Sequence, residues 1–89
     1  MSFRLDITGR YVIEDDGAPH PTVRTIPEAY EHFARLELQG AKYERDHDLA
    51  VRAGRTINAD VFAVMATTQL KAALELYRVL QSVESEVAA

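Results

Sequence analysis

The first residues of the chain alternate between apolar and polar side chains. Phe3, Leu5 and Ile7 fall on one side of an extended backbone, and the polar residues between them fall on the other. This period is typical of a half-buried β-strand. Gly9 allows a turn into a second short strand at residues 11–13. Because a two-stranded hairpin is marginally stable alone, we expect it to pack on helices or to pair with the hairpin of another subunit.

The composition changes at residues 14–22, where acidic residues, a glycine and two prolines lie close together. These residue types favour a loop over a strand. The sequence therefore predicts that residues 1–24 form a short N-terminal β-hairpin or strand followed by a loop.

A long helix is predicted over residues 25–54. Thr25 and Glu28 have the spacing of a capping box, and Pro27 lies in the first turn, where its missing N–H breaks no hydrogen bond. We expect the helix to end near Gly54, since glycine favours the left-handed conformation that follows many helices. Between these ends, one seam of positions recurs at alternating spacings of four and three, as in a coiled coil: Ala29, Phe33, Leu36, Gly40, Tyr43, His47 and Ala50.

A second helix is predicted over residues 57–86, after a cap at Thr56 or Asn58. Its seam has the same four–three spacing: Phe62, Ala66, Gln69, Ala73, Leu76, Leu80 and Val83. Further apolar side chains flank the seam: Val61, Met65, Ala72 and Val79 on one side, and Leu70, Leu74 and Tyr77 on the other. At about 100° per residue, the apolar arc covers well over half of the helix circumference.

The width of this arc predicts self-association. One antiparallel neighbour covers roughly the narrow seam of a helix, and the sequence predicts only one other helix. A monomer would therefore expose a large apolar surface, which soluble monomers rarely do. We expect a mainly α fold, with residues 1–89 forming a single domain built on an antiparallel helical hairpin. Residues 57–86 should join such hairpins into a homo-oligomer, most simply a four-helix bundle of two chains.

Composition and charge narrow the classes of function. The chain has no cysteine, which excludes disulfides and thiolate metal ligands and fits a cytoplasmic protein. The net charge is −4, and acidic residues are interleaved with the basic residues of the middle third, so no nucleic-acid partner is expected. No apolar run approaches the roughly 20 residues of a membrane span, so no membrane partner is expected.

Two residues of the first predicted helix resemble a metal-ligand pair. Glu44 and His47 have the Glu-x-x-His spacing with which bundle helices hold di-iron or di-manganese centres. A dimer would supply two copies, and Glu37, two turns earlier, is the best-placed further carboxylate. Fe, Mn or Zn suits these ligands, and a haem held by His47 or Tyr43 is another form of this hypothesis. The sequence favours the simpler interpretation of a solvated face with ordinary charge pairs to Lys42 and Arg52. That face consists of Glu44, Arg45, Asp46 and Asp48.

Polar residues also fall on the two apolar seams. His47 follows Tyr43 by one turn, and Gln69 is the strongly polar residue in the middle of the second seam. A hairpin folded about residue 56 places Tyr43 and Gln69 at similar distances from its turn. We therefore predict that Tyr43, His47 and Gln69 share one layer. That layer is either a hydrogen-bond network that sets the register of the helices or the lining of a small-molecule pocket, and the sequence favours the network.

The functional hypothesis is a small homo-oligomeric interaction or accessory protein without catalytic activity of its own and without a cofactor. Its partner is a second copy of the chain, with another protein as a further candidate. The sequence contains no glycine-rich phosphate loop and no nucleophile elbow. The alternative is an oligomeric metal- or haem-binding protein, such as a di-iron-like oxidoreductase, with its ligands at a subunit interface.

Overall fold

The computed structural model describes residues 1–17 and 19–88 and contains a small sheet followed by two long helices. The elements are β1 (Ser2–Leu5), β2 (Tyr11–Asp15), β3 (Thr22–Thr25), α1 (Ile26–Arg52) and α2 (Thr56–Ala88). The prediction of a mainly helical chain with two long helices and an N-terminal β element is confirmed. Both helices begin and end within two residues of their predicted boundaries.

The chain divides into two compact units. The first unit comprises Met1–Phe33 with Leu74–Ala89, and the second comprises Ala34–Ala73. The first therefore contains the sheet, the start of α1 and the end of α2. The second contains the rest of both helices and the turn that joins them.

A third strand corrects the prediction of a loop up to residue 24. The sheet is antiparallel with the order β1-β2-β3, and Val12 of β2 lies opposite Thr25 of β3. The strand was missed because its four residues contain a single apolar side chain, Val23, and so show no alternation. Pro21 directly precedes the strand, a position where its missing N–H removes no ladder hydrogen bond.

The central strand forms the core of the sheet. Val12 and Ile13 are both buried, and because successive side chains point to opposite faces, both faces of β2 are covered. Phe3 lies opposite Ile13 and packs against Tyr11, with ring centroids 6.0 Å apart. Leu5 shares the face of Phe3, as predicted, but its side chain is exposed.

The predicted alternation breaks at Asp6, where the chain leaves β1 for a turn. Asp6 Oδ1 accepts hydrogen bonds from Thr8 N, Thr8 Oγ1 and Arg10 N, at 2.8, 2.6 and 3.0 Å. Gly9 has a φ of +81°, which favours glycine. Ile7 was predicted to lie in the strand, but it lies in this turn and is fully exposed.

The predicted signals at the start of α1 are present. The Glu28 N–H donates to Thr25 Oγ1 at 3.4 Å, as an N-cap should. The Glu28 carboxylate accepts a hydrogen bond from the same Thr25 hydroxyl at 2.9 Å, instead of reaching the backbone N–H of Thr25 as in a full capping box.

The turn between the helices is a Schellman motif. Arg55 N donates to Ala50 O at 2.9 Å, Gly54 N donates to Val51 O at 3.1 Å, and Gly54 has a φ of +72°. This confirms the predicted end of the first helix near Gly54. Arg55 O accepts the first hydrogen bond of α2, from Ala59 N at 2.9 Å. Arg55 therefore occupies the cap position, which corrects the prediction of a cap at Thr56 or Asn58.

The predicted seams face inward within each unit. In the second unit, Leu36, Gly40 and Ala50 of α1 and Ala66 and Ala73 of α2 are buried. In the first unit the buried seam residues are Ala29, Leu76, Leu80 and Val83. Among the described residues, neither helix has an apolar stretch of the length that a membrane span requires.

Candidate functional site

Glu44 and His47 line one groove on the second unit. The groove is open to solvent, has a volume of about 360 Å³ and is completed by Asp48, Ala63, Ala66, Thr67 and Leu70. One helical turn separates Glu44 from His47, so both side chains lie on the same side of α1. The small side chains of Ala63 and Ala66 on α2 leave space beside them. The predicted Glu-x-x-His pair therefore faces a common space.

His47 is half-buried, and its ring contacts a neighbour in sequence. Nδ1 lies 3.3 Å from Asp48 Oδ1, and the two side chains are 38% and 71% exposed. An ion pair this exposed contributes at most about 1 kcal/mol, and only while the imidazole is protonated. The ring is therefore held loosely and is accessible to a ligand from solvent.

The second unit of one chain does not complete a metal centre. Glu37 is exposed on α1, two turns before Glu44. Among residues 1–17 and 19–88, no three His, Asp or Glu side chains form a group that could hold a metal ion. The ligand set of Glu37, Glu44 and His47 requires ligands from a second subunit, as the sequence hypothesis stated, and it stays a prediction.

Tyr43 and Gln69 face different neighbours. The Tyr43 ring stacks on Phe62 with centroids 6.5 Å apart and planes inclined by 24°. Gln69 lies opposite Gly40, where a Cβ built on the glycine would be 3.7 Å from the Gln69 Cβ. In the part of the chain that the structure describes, no hydrogen bond joins Tyr43, His47 and Gln69. A pocket or network formed by the three stays a prediction.

A second groove of the same unit was not predicted. It has a volume of about 480 Å³ and is lined by Asp46, Leu49, Ala50, Ala53, Arg55, Asn58 and Phe62. Asp46 is half-buried there, although the sequence assigned it to a solvated face. The helical period contained a signal for this position, because Asp46 lies three residues after the seam residue Tyr43 and four before the seam residue Ala50, at the edge of the seam.

A third groove, larger than the other two, lies on the first unit and was also missed. Its volume is about 690 Å³, within the range of roughly 300 to 1,000 Å³ that is usual for ligand pockets. It is bordered by the β1–β2 turn, the start of α1 and the last turns of α2. Its walls are mainly apolar, and its apolar side chains include Tyr11, Ile26, Pro27, Val83 and Val87.

Two polar side chains of this groove bond to each other. The Tyr30 hydroxyl donates to the Glu84 carboxylate. This hydrogen bond raises the pKa of Tyr30 above its ordinary value of 10.0, and partial burial and the charge of Glu84 act in the same direction. The two residues are 54 positions apart, so no local sequence pattern could indicate the contact.

The grooves share a simple chemistry. Each places ionisable side chains beside small or apolar residues: Glu44 and His47, which the sequence predicted as a pair, and Tyr30 and Glu84, which only the structure brings together. Comparison of the chain with protein-family models, with curated proteins and with solved structures finds no match. The grooves are therefore interpreted from their own residues.

Proposed function

We propose that the protein is a small homo-oligomeric interaction or accessory protein that associates through α2 and has no catalytic activity of its own. The supporting observation is the exposure of apolar side chains on α2 beside a buried seam. Leu70 is 37% exposed, and Leu74 and Tyr77 are each 46% exposed. Packing within the chain covers the seam and leaves these flanking positions to solvent, where a partner helix would bury them.

The stretch of α2 within the second unit carries a separate stripe of exposed apolar side chains, on another side of the helix. Ile57, Val61 and Val64 follow one another at spacings of four and three, and they are 81%, 51% and 66% exposed. This spacing is the one by which a helix presents a seam to a neighbouring helix. A second copy packing against α2 would produce the four-helix bundle of two hairpins. A cytoplasmic location and a further protein partner remain part of this proposal.

Sedimentation velocity over a wide concentration range tests the proposal. We expect a mass that is a fixed multiple of 10.0 kDa. Val64→Lys and Leu74→Lys should shift the chain towards monomer with the helical circular dichroism retained, because both side chains are exposed in the single chain. Leu38→Lys on α1 is the matched control, since Leu38 is 72% exposed but lies outside α2. A compact monomer at every concentration would contradict the proposal.

A charge placed at Leu76 would not test self-association, although Leu76 lies on the seam of α2. Its side chain is 1% exposed and belongs to the core of the first unit. Leu76→Glu would bury a charge and unfold the chain, which would not report on association.

The second candidate function is metal or haem binding at a subunit interface. The observation that favours it is the common groove of Glu44 and a half-exposed His47. Glu37, which is exposed two turns earlier on α1, is the further candidate ligand. Elemental analysis and a visible spectrum of the purified protein test it, followed by titration with Fe(II) or Zn(II). Bound metal should be lost in His47→Ala and retained in the control His20→Ala. Colourless protein that takes up neither ion would exclude this candidate.

A further inference from the structure

The outer side of β1 is an open edge of the sheet. The strand order is β1-β2-β3, so no strand within residues 1–17 and 19–88 pairs with β1 on the side away from β2. Ser2, Arg4 and Leu5 are exposed, and Phe3 is half-buried. An open edge presents backbone N–H and C=O groups, for which an extended strand is the matching partner.

The outward backbone groups of this edge belong to Phe3 and Leu5. Asp6 N donates to Arg10 O at 2.7 Å, so the Asp6 N–H points across the hairpin. Backbone groups of successive residues in an antiparallel strand point alternately to its two sides. Those of Arg4 therefore point to β2, and those of Phe3 and Leu5 point outward. Leu5 O accepts a hydrogen bond from Arg4 Nη1 at 3.2 Å, which leaves Phe3 N–H, Phe3 C=O and Leu5 N–H for a partner.

The other edge of the sheet is protected in ways that β1 is not. β3 is preceded directly by Pro21 and continues directly into α1. It also carries Arg24, whose guanidinium donates to the neutral Thr22 hydroxyl at 3.0 Å. Proline and exposed charge are two means by which edge strands avoid pairing. The charged residue of β1, Arg4, forms an ion pair with Glu14 of β2, so its charge is compensated within the sheet.

We propose that β1 pairs antiparallel with β1 of a second copy, about a two-fold axis between their Phe3 residues, and so joins two sheets into one of six strands. The N–H and C=O of each Phe3 then bond those of the other, and each Leu5 N–H donates to the Met1 C=O of the second copy. The contact is separate from the association through α2 and goes beyond the proposed function.

Charge and backbone bonding select this register. Centring the axis on Arg4 would set two guanidinium groups directly opposite each other, and like charges so placed are destabilising. It would also need the Leu5 carbonyl, which Arg4 already occupies. Centring the axis on Leu5 would extend the ladder to Ile7, which lies in the turn after β1. Centring it on Phe3 places Arg4 opposite the small, neutral Ser2 of the second copy.

The apolar face of the sheet favours a second copy as the occupant. Phe3 lies opposite the buried Ile13, so two paired Phe3 residues continue one apolar row across the junction. Leu5 is 53% exposed in the single chain, and Met1 of the second copy would lie opposite it.

The charges on the other face are complementary in the same register. Ser2 lies opposite Glu14 of β2, so Arg4 of the second copy lies in one row with that carboxylate, across Ser2. Each guanidinium then lies between Glu14 of its own chain and Glu14 of the second copy, and opposite charges alternate across the junction. A second copy supplies this match by symmetry.

Disulfide cross-linking tests the register, because the chain has no cysteine of its own. A mixture of Ser2→Cys and Arg4→Cys chains should give a disulfide-linked heterodimer on mild oxidation, since directly opposite residues of this type have Cα atoms about 4.5 Å apart. Either variant alone should cross-link poorly, because identical positions are then about 8 Å apart. Val23→Cys on β3, at an exposed position of the protected edge, is the control and should not cross-link with either variant.

Amide hydrogen exchange of the wild-type chain tests the backbone pairing without any substitution. Exchange at Phe3 N–H should slow by about tenfold or more between dilute and concentrated protein, because this group is paired only in the dimer. Arg4 N–H points to β2 in the single chain and should be protected at both concentrations. Leu5→Pro should weaken the association by removing an outward donor, and Leu5→Ala, which keeps that donor, should weaken it less.

The results separate this contact from the association through α2. A heterodimer that forms with Val64→Lys in both chains would support the β1 contact and contradict the proposed function. An oligomer in which Phe3 N–H exchanges freely would overturn this inference alone, and so would cross-linking of Arg4→Cys chains with each other instead of with Ser2→Cys. A wild-type monomer at every concentration would overturn both proposals and leave the edge of β1 to a strand of another protein.

Discussion

Gly40 on α1 faces Leu70 on α2 so closely that a Cβ at position 40 would lie 2.6 Å from Leu70 Cδ2 and 2.8 Å from Leu70 Cγ. Contacts this short do not occur between real Cβ and carbon atoms, so any larger residue would displace the leucine. Glycine in the middle of a helix costs about 1 kcal/mol against alanine. At this position that cost is offset by the close approach of the two helices.

We expect Gly40→Ala to lower the free energy of unfolding by about 1 kcal/mol. Overpacking costs about 1–3 kcal/mol, which exceeds the gain in helix propensity of about 1 kcal/mol. In a Leu70→Ala background the same substitution should stabilise the chain, because the obstructing atoms are gone. Urea unfolding of the four variants gives the double-mutant cycle. The control is Ala41→Gly at an exposed neighbouring position, which measures the difference in helix propensity between alanine and glycine. If the effects of Gly40→Ala and Leu70→Ala were simply additive, the prediction would be contradicted.

The Asp6 carboxylate should make the stability of the chain sensitive to acid. The hydrogen bond from the Thr8 hydroxyl, followed by that from the Arg10 N–H, lowers the pKa of Asp6 below its ordinary value of 3.8. A lowered pKa stabilises the fold fully above the ordinary value, and the contribution is lost as the pH falls through the lowered value. Thr8→Ala should therefore raise the pKa of Asp6 towards 3.8, as measured by NMR titration of its carboxyl carbon.

The control for Asp6 is Thr68→Ala. The Thr68 hydroxyl donates to Val64 O, far from Asp6 in sequence and in the other unit. Its removal should leave the acid titration of Asp6 unchanged. An Asp6 pKa at or above the ordinary value in the wild type would contradict the hydrogen-bonding geometry of the turn.

The Tyr30–Glu84 hydrogen bond should make the stability of the chain sensitive to alkaline pH. The raised pKa of Tyr30 means that its contribution to stability is complete below 10.0 and is lost as the pH rises through the folded-state value. Glu84→Gln should lower the pKa of Tyr30 towards 10.0, which NMR titration of the Tyr30 ring will measure. Glu86→Gln, on the same last turns of α2, is the control and should have no effect. An equal response to both substitutions would exclude the specific contact.

Substitution of Gly54 in the Schellman turn should lower the stability of the chain more than substitution of Gly17. Gly54→Ala should lower the free energy of unfolding by about 1–2 kcal/mol, because an L side chain is strained at a φ of +72°. Gly17 has no neighbouring atom within 4 Å of a built Cβ and no positive φ, so Gly17→Ala should have a neutral or slightly stabilising effect. Equal losses at the two sites would mean that Gly54 is not needed in the left-handed conformation.

Local signals explain which parts of the structure could be predicted from the sequence. The start of α1 at Thr25 and its end near Gly54 depend on residues a few positions apart, and both ends were predicted within two residues. The grouping of Glu44 with His47 in one groove is local for the same reason, since a single helical turn joins them.

Contacts between distant segments decided the rest. β3 forms because Thr22–Thr25 meets the open edge of β2. Its four residues show no apolar–polar alternation, although three of them are β-branched, a type common in strands. The position of Gln69 opposite Gly40 follows from where the two helices approach closely. The groove that Tyr30 and Glu84 share also depends on contacts between residues that are distant in sequence.

The sequence by itself determined the helices, their ends and the side of each helix that faces inward, because periodicity and capping act over one or two turns of backbone. Only the tertiary structure decided which side chains meet across the helices, which strand completes the sheet and which apolar groups remain in solvent. The physical reason is that packing selects one register among many that the same seams allow, and small residues such as Gly40 set that register through the distance of closest approach.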